Sequence, residues 1–481
     1  MNIEEKRTEA VVDEVAAADF GDSRLNGRGR RISKRLAMRP GSSFPTALVT
    51  DAELEGFYRF VGNEKVTASA ILAPHVQATI ARAAEHGTVL AAHDTTEFQF
   101  GGEARKDLGE VKKAGSKLLV HFCLCLSSDG NRDPLGVLAM KTWVRDGSPT
   151  QSSLRKKEGL SYAAAKSMPS EHARWRESVE EAERVVEGKA SLIHLMDSES
   201  DDFGLLCFLQ DKKYRFVLRS FRERKLDATA TGSLPGEKIK AFVARAEVRA
   251  VRSVKLTRRK MRPIELGMGK RDRPREARTA KLSFSATTVV IRRPQLALET
   301  LADTVSVNVV SVKENNPPAG MEPVDWHLFT SEPLETAEQI LAIVDAYRGR
   351  WPIEEYFKAL KSGCVFEERQ LESKATIVKA LALFVPIAWV LLRMRAASRS
   401  PVKASIATVL TVVQITILKK ETGLPLRRNS SAADGYRAVA RLGGHIKNNG
   451  PPGWQVLGRG YAMLLLLEAG FKIGQSEPCD Q

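Results

Sequence analysis

The sequence predicts an α/β protein in which a mixed β-sheet is flanked by helical regions. Three observations predict it. Apolar, strand-like runs that end in acidic residues lie between residues 85 and 220, strongly basic strand-like segments follow them, and helix-like patterns occupy both ends of the chain. Since 481 residues exceed one ordinary compact core, we predict a helical region at 1–75, an α/β region at 76–370 with a β insertion at about 222–322, and a helical region at 371–481.

The N-terminal region carries a basic cluster, GDSRLNGRGRRISKRLAMRP. Four arginines of this cluster lie three or four residues apart: Arg24, Arg28, Arg31 and Arg35. This spacing predicts one basic helical face, which would bind phosphates or simply lie in solvent. Gly27 and Gly29 weaken such a helix, so a loop that enters a helix is the alternative.

The α/β region is predicted from its apolar runs in chain order. GTVLAAHD is the first strand, LLVHFCLCLS and DPLGVLAMKTWVR are two more around the turn SSDGNRD, and a charged helix follows at about 170–187. SLIHLMD and RFVLRS are further strands, VDWHLFTS resumes the sheet, and a helix runs from about Thr336 towards Tyr347. Fourteen Lys or Arg residues lie from Arg245 to Lys281, several of them alternating with apolar residues, which predicts a half-exposed β insertion that faces phosphates.

Charge and cysteine content narrow the class of protein. Lys plus Arg exceed Asp plus Glu by 74 − 58 = 16, which favours a polyanionic partner but also fits a ribosomal or membrane-surface protein. The five scattered cysteines fit neither a disulfide framework nor a zinc site, so a reducing cytoplasm is expected. The N-terminus does not resemble a signal peptide. The apolar run 380–392 contains Pro386 and is too short to span a bilayer, so we expect no membrane partner.

Three acidic residues have a context that indicates chemistry. Asp94 and Asp197 each end a predicted strand, and Glu354 begins a predicted helix. Because strand ends meet at one edge of an α/β sheet, these acids can approach one another and form a set of hard oxygen ligands for Mg²⁺ or Mn²⁺. A pair of such ions, about 3.5–4 Å apart, can act on both oxygens of a phosphoryl displacement. The alternative for any one acid is a helix cap or an exposed surface position.

The surroundings of Glu354 are more specific. Tyr347, Arg350, Glu354 and Lys361 follow the spacing Y-x2-R-x3-E-x6-K, with Lys358 between the last two. In a continuous helix Glu354, Lys358 and Lys361 lie on one face, so a metal ligand and two phosphate-binding ammonium groups would be adjacent. Pro at 352 fits the first helical turn, where the missing N–H has no partner in any case. The alternative is an exposed Glu–Lys pair of little energetic weight.

The segment YRGRWPIEEYFKALKSG resembles the YREK signature of bacterial cut-and-paste transposases of the transposon-five type, in the insertion-sequence-four family. FGDSR, FYRFVGNEKVTASAIL, HDTTEF, MDSESD, RFVLRS, DWHLFTSEP and YRAVARLGG resemble further blocks of that family, in the same order. The resemblance implies a ribonuclease-H-like catalytic domain interrupted by an antiparallel β insertion, an N-terminal domain that binds transposon ends, and a C-terminal dimerisation domain.

The resemblance also implies roles for individual residues. Asp94, Asp197 and Glu354 match the catalytic triad, which would hold two Mg²⁺ ions with Mn²⁺ as a substitute. The other matching residues would bind DNA, and with the N-terminal arginines they are Arg24, Arg28, Arg31, Arg219, Trp326, Tyr347, Arg350, Trp351, Lys358 and Lys361. Trp326 matches a tryptophan that stacks on a flipped base, and Trp351 matches a second aromatic beside that pocket.

Two departures from the family pattern leave questions open. Ser198 follows Asp197 where the family often has arginine, and Glu199 and Asp201 stand two and four residues further on. Asp197 is the predicted second acid, because it ends the apolar strand directly. Pro352 replaces a more usual polar residue, which could shift the start of the helix.

The function that the resemblance implies is metal-dependent excision of a mobile element. Hydrolysis would release a 3′-hydroxyl at each end, a hairpin would form and reopen, and the 3′ ends would join target DNA. Double-stranded DNA and a second copy of the chain are the implied partners, and the expected location is the cytoplasm, on the nucleoid. The alternatives are a metal-dependent nuclease of the same fold and a non-catalytic DNA-binding protein derived from a transposase.

Overall fold

The computed structural model describes residue 14 and residues 17–102, 105, 107–110, 115–144, 173–258, 276–295, 297–400 and 404–476. These residues form two compact units. The first comprises Met1–Pro149, Glu177–Ser191 and Trp351–Gln481, and the second comprises Thr150–Arg176 and Leu192–Arg350. Both units contain helices and strands, so the predicted mixed α/β class is confirmed. The three predicted domains differ from this division into units and stay a prediction.

Among the described residues, four helices form the N-terminal part of the first unit. They are α1 (Ser23–Met38), α2 (Phe44–Ala47), α3 (Asp51–Gly62) and α4 (Ala68–Ala84). Helix α1 begins at Asp22, whose carboxylate accepts the backbone N–H of Arg24 at 2.8 Å. The helix passes through both glycines, so the loop alternative is wrong. A Cβ at Gly29 would lie 3.0 Å from the ring of Phe20, and this close packing explains a glycine within a helix.

Four strands of the first unit pair antiparallel. They are β1 (Thr88–Phe100), β2 (Gly109–Glu110), β3 (Ser116–Ser127) and β4 (Pro134–Trp143), and β3 pairs with each of the other three. Nearly every residue of β3 is buried, as its unbroken apolar sequence predicts. Helix α4 packs against β4 and covers one face of these strands.

The C-terminal part of the first unit is helical, as predicted. It contains α10 (Pro352–Lys358), α11 (Lys374–Arg399), α12 (Val412–Thr422), α13 (Ala432–Leu442) and α14 (Trp454–Ser476). Three of these helices begin with a reciprocal capping box, at Ser373, Thr411 and Ser431. In each box the Ser or Thr side chain accepts the backbone N–H of the residue three positions later, whose side chain accepts the backbone N–H of the Ser or Thr.

Helix α11 is the apolar core helix of this unit. Within the part of the chain that the structure describes, it alone is long and apolar enough to cross a membrane, with a mean hydropathy of 2.2 over 18 residues. Because 78% of that stretch is buried inside the protein, we assign α11 to the core. Trp389 is buried in it and donates its indole N–H to the carbonyl oxygen of Pro134 at 2.8 Å.

The second unit contains the remaining strands, in the order β5-β6-β10-β9-β8-β7. They are β5 (Ser191–Met196), β6 (Arg215–Ser220), β7 (Val248–Leu256), β8 (Arg278–Arg292), β9 (Thr304–Asn315) and β10 (Asp325–Thr330). The β5–β6 pair is parallel, and the pairs β6–β10, β10–β9, β9–β8 and β8–β7 are antiparallel. The predicted insertion is therefore antiparallel as expected. Its strand β9 pairs with β10, so the insertion extends the sheet of this unit instead of forming a separate layer.

Helices connect and cover the strands of the second unit. They are α6 (Phe203–Asp211), α7 (Ala228–Thr231), α8 (Ile239–Val243) and α9 (Ala337–Arg348), while α5 (Ala173–Val186) precedes β5 and includes residues assigned to both units. Helix α9 begins at Thr336 with a capping box completed by Gln339, so the predicted helix from Thr336 towards Tyr347 is confirmed. Residues 259–275 of the basic segment, and Cys479, lie outside the described residues.

The crossing of α13 and α14 requires glycine at residue 460. A Cβ at Gly460 would lie 1.8 Å from the carbonyl oxygen of Val439, so the two helix backbones would have to separate. We expect Gly460→Ala to lower the free energy of unfolding by about 1–3 kcal/mol, as overpacking does. Gly470→Ala in the same helix is the control, because nothing lies within 4 Å of its added Cβ. Urea unfolding that gives equal stabilities for the two variants would contradict the close crossing.

Candidate functional site

The basic cluster of the first unit forms one exposed side of α1. Arg24 and Arg31 are exposed and Arg28 is half-buried, while Leu25 and Ile32 are buried on the adjoining side of the helix. The prediction of a shared basic helical face is consistent with this pattern. Arg35 differs from the other three, because its guanidinium pairs with Glu53 at 3.0 Å. Three arginines of the cluster thus remain directed mainly to solvent.

Asp94 lies in the middle of β1 and not at its end, so that part of the prediction is wrong. Strand β1 continues for six residues beyond Asp94, which is opposite Phe122 of β3 in the register. The sequence TTEFQF explains the continuation, since it keeps β-branched and alternating apolar residues that pair with β3. The Asp94 side chain is half-buried, and its Oδ1 accepts the backbone N–H of Thr95 at 2.8 Å.

Two buried histidines lie on the strands beside Asp94. His121 Nδ1 is 2.9 Å from the Thr95 hydroxyl, and His93 Nδ1 is 3.2 Å from the Ser178 hydroxyl. Burial lowers the pKa of His121 to about 3, so its ring is neutral at neutral pH. Because side chains alternate along a strand, His93 and Thr95 point to the face opposite Asp94. His121 therefore holds the strand without adding positive charge.

Asp197 follows β5 directly, as predicted, and belongs to the second unit. Its backbone is extended, and its Oδ1 accepts the N–H of Glu199 at 2.8 Å, which caps the short helical turn Ser198–Ser200. The side chain is half-buried. Asp197 thus combines a backbone-capping bond with partial exposure to solvent.

Asp201, four residues later, has a different environment. It is fully buried, and its Oδ2 accepts the backbone N–H groups of Phe221 and Arg222 at 2.7 Å each. Its Oδ1 pairs with the buried Arg224 at 2.6 Å. Both carboxylate oxygens therefore hold the chain that leaves β6. The sequence predicts Asp197 as the second acid, and the structure gives Asp201 a structural role on both of its carboxylate oxygens.

Three predicted DNA-contacting residues form one cluster in the second unit. The guanidinium carbon of Arg219 lies 5.2 Å from the centre of the Trp326 ring, and the Trp326 and Tyr347 rings are 5.7 Å apart in an edge-on arrangement. Tyr347 is buried, which raises the pKa of its hydroxyl although Arg219 and Arg350 act in the opposite direction. Trp326 remains half-buried, so one indole surface is available beside a cation.

The predicted Y-x2-R-x3-E-x6-K segment is divided between the units. Tyr347 and Arg350 belong to the second unit, whereas Trp351, Glu354 and the two lysines belong to the first. Pro352 is the first residue of α10 and Glu354 lies in its first turn, as predicted. Glu354 is half-buried and Trp351 is 56% exposed.

The expected single face of Glu354, Lys358 and Lys361 is wrong for Lys361. Helix α10 ends at Lys358 and continues as a π-helical turn over Ala359–Gly363, closed by a bond from Cys364 N–H to the Ala359 carbonyl at 2.8 Å. A π turn adds a residue to the helical repeat, so positions seven apart no longer share a face. The ammonium of Lys358 is 2.8 Å from Glu355 and 5.7 Å from the centre of the Trp351 ring.

Glu355 is a structural neighbour of Glu354 that the sequence did not distinguish. It is buried, and its carboxylate lies 3.1 Å from Arg395 and 3.6 Å from Arg399 of α11. Arg395 in turn lies over the Trp454 ring of α14 at 4.5 Å. The two adjacent glutamates therefore differ clearly, since Glu355 joins α10 to the C-terminal helices. No local sequence signal reveals this role, because Arg395 is forty residues away.

Several arginines of the basic insertion are paired within the second unit. Arg252 forms two bonds of 2.8 Å with Asp345 of α9, and Arg278 binds Glu314 at 2.8 and 2.9 Å. These arginines tie strands of the insertion to carboxylates of their own unit. The predicted phosphate-facing surface therefore rests on the other basic residues of the segment.

Within each unit by itself, the described residues include no cluster of three His, Cys, Asp or Glu side chains able to hold a metal ion. The predicted triad takes Asp94 and Glu354 from the first unit and Asp197 from the second. All three side chains are half-buried, and all three offer carboxylate oxygens, the ligand type that Mg²⁺ and Mn²⁺ prefer.

A comparison with known protein families concerns the N-terminal region. Residues 7–66 match the family described as transposase DNA-binding. This range includes the exposed arginines of α1 and all of α2 and α3. The match supports a transposase whose partner is DNA.

Proposed function

We propose that the protein is a cut-and-paste DNA transposase with the acidic triad Asp94, Asp197 and Glu354. The observation that carries the proposal is the match of residues 7–66 to transposase DNA-binding domains, ahead of an α/β region that contains these acids. The resemblance of YRGRWPIEEYFKALKSG to the signature of the transposon-five type gives further support. In this proposal the α/β region is ribonuclease-H-like.

The three carboxylates would hold two Mg²⁺ ions, or Mn²⁺ in their place. Their donor chemistry fits these ions, because only oxygen ligands are offered and none of the three side chains is fully buried. Bound ions would lower the pKa of the attacking oxygen and neutralise charge at the reacting phosphate. Asp197 directly follows strand β5, and Glu354 lies in the first turn of helix α10. Regular secondary structure therefore positions both residues.

The cluster of Arg219, Trp326 and Tyr347 would bind an extruded base near the cleavage position. The half-buried indole beside a guanidinium offers a stacking surface and a positive charge together. Stacking offsets the free energy that is lost when a base leaves the duplex. Trp351, which is 56% exposed, would supply a second aromatic surface, and Arg350 and Lys358 would bind backbone phosphates.

The N-terminal arginines Arg24, Arg28 and Arg31 would bind phosphates of the transposon end. The reaction would proceed by hydrolysis at the end, hairpin formation by the released 3′-hydroxyl, hairpin opening by water, and attack on target DNA by the same 3′-hydroxyl. The region 371–481 would mediate a homodimer that brings two ends together. We place this activity in the cytoplasm, on chromosomal DNA.

The test of the proposal uses the full-length protein, Mg²⁺ and a duplex made from the DNA that flanks the gene, cut beforehand to expose its 3′ ends. Incubation with supercoiled plasmid is expected to yield plasmid joined covalently to the duplex. A nuclease of the same fold would nick the plasmid without joining, and a non-catalytic DNA-binding protein would retain both DNAs unchanged. Either of these results would contradict the proposed function.

A further inference from the structure

The lysine that ends the YREK-like signature is engaged by its own unit. The Lys361 ammonium donates a hydrogen bond to the backbone carbonyl oxygen of Glu97 and lies 3.5 Å from the Glu367 carboxylate. It also lies 5.4 Å from the centre of the Phe98 ring. An ammonium group has three N–H donors. Around the ammonium of Lys361 lie the Glu97 carbonyl oxygen, the Glu367 carboxylate and the Phe98 ring.

We propose that Lys361 and Glu367 form a positioning pair that fixes helix α10, and with it Glu354, against strand β1, which carries Asp94. This inference rests on the proposed function, because it gives the pair the task of holding two of the three catalytic acids in register. It replaces the expectation that Lys361 binds a phosphate. Lys361 and Glu367 touch neither the substrate nor the ions, so they act through Glu354 and Asp94.

Glu367 connects the same two elements by a second contact. Its Oε1 accepts the backbone N–H of Gln99 at 2.9 Å, five residues beyond Asp94 on β1. The same atom is the partner of Lys361. Glu367 therefore binds the strand backbone directly and also binds the lysine that contacts that backbone. A strand joined in this way at Glu97 and at Gln99 has little freedom to slide relative to the helix.

Lys361 contacts β1 from the π-helical turn that follows α10, and α10 itself packs against β1. In a continuous α-helix, residues 354 and 361 would share a face, but the π turn over Ala359–Gly363 breaks that repeat. The turn is itself held from the other side, since a Cβ at Gly458 of α14 would lie 2.3 Å from the carbonyl oxygen of Gly363. The C-terminal helix thus supports the turn that directs Lys361 to the strand.

Lys358 provides the contrast within the same segment. Its ammonium binds Glu355 of its own helix at 2.8 Å, and its side chain is 51% exposed, whereas that of Lys361 is 30% exposed. These contacts of Lys358 therefore do not join separate elements. The ammonium of Lys358 is also more accessible to DNA than that of Lys361. A phosphate-binding role fits Lys358, and a positioning role fits Lys361.

The experiment compares Lys361→Met, Glu367→Gln and the double variant, all in the full-length chain with Mg²⁺ and a duplex of the flanking DNA. Each single change is expected to slow cleavage about tenfold, the scale at which loss of a supporting contact affects a metal site. The double variant should be no slower than Lys361→Met, because the ion pair that Glu367→Gln weakens is already lost in Lys361→Met. Lys361→Arg, which keeps the charge, should recover part of the rate.

Salt dependence of DNA binding separates positioning from phosphate binding. Loss of a phosphate contact reduces the slope of log affinity against log salt by about 0.9, and we expect this for the control Lys358→Met but not for Lys361→Met or Glu367→Gln. The inference is overturned if Glu367→Gln cleaves like the unchanged protein, or if Lys361→Met reduces the slope as Lys358→Met does. An unchanged protein that cleaves no DNA would instead contradict the proposed function.

Discussion

Asp94→Asn is expected to abolish nicking of end DNA in the presence of Mg²⁺ while leaving DNA binding intact. Asparagine keeps an oxygen that can accept the Thr95 N–H, the bond that Asp94 Oδ1 makes at 2.8 Å, so the strand should fold as before. The substitution removes a negative charge that would hold a divalent ion. We expect the nicking rate to fall by at least about 10²–10³-fold, which is the usual effect of losing one electrostatic group at a reacting centre.

The matched control for this prediction is Glu97→Gln in the same strand. Glu97 is also half-buried, and its side chain lies 3.9 Å from Lys117. Its backbone carbonyl, which binds Lys361, is unchanged by the substitution. Gel-shift and nicking assays on one duplex should show equal binding for both variants and a large loss of nicking for Asp94→Asn alone. Near-normal nicking by Asp94→Asn would show that the proposed triad is wrong.

The arrangement of strands and helices was largely predictable from apolar patterning. Runs such as LLVHFCLCLS and SLIHLM became β3 and β5, because unbroken apolar stretches of that length fit buried strands. Thr336 and Pro352 marked helix starts through local chemistry, a capping hydroxyl and a missing N–H, which act within one turn. Strands and helix starts whose physical cause is local could therefore be predicted from the sequence.

The errors have causes that are not local. The end of β1 was placed at Asp94 because an acid after an apolar run is typical of a strand end, but pairing with β3 carries the strand on to Phe100. The π turn after Lys358 is supported by α14, almost a hundred residues later, where Gly458 packs against Gly363. Neither effect is visible in the residues on either side of the position concerned.

The candidate site likewise has features that the sequence could indicate and features that only the fold reveals. Spacing alone singled out Glu354, yet it could not tell Glu354 from Glu355, because only the fold brings Arg395 to the second glutamate. Similarly, MDSESD contains three acidic residues within six positions, and only the donors from the chain after β6 distinguish Asp201 from Asp197. The acidic residues of the candidate site could be proposed from the sequence, whereas the residues that support them depend on distant partners.

The contrast between these two aspartates gives a large expected effect on stability. Asp201→Asn replaces one oxygen of a fully buried carboxylate by an NH₂ donor, although its partners are the N–H groups of Phe221 and Arg222 and the guanidinium of Arg224. Arg224 is itself buried, so its charge would lose its counter-ion. Breaking a buried ion pair from one side costs about 3–5 kcal/mol, and we expect a loss of that size in the free energy of unfolding.

Asp197→Asn is the matched control, because an asparagine oxygen can still accept the Glu199 N–H that Asp197 binds at 2.8 Å. This half-buried position should change the free energy of unfolding by less than about 1 kcal/mol, while nicking is lost as for Asp94→Asn. The two variants should therefore give opposite patterns. Urea unfolding should show the loss of stability for Asp201→Asn, and the nicking assay should show the loss of catalysis for Asp197→Asn. If Asp201→Asn unfolds like the unchanged protein and loses only nicking, the second acid of the triad is Asp201, and the assignment of the register must move by four residues.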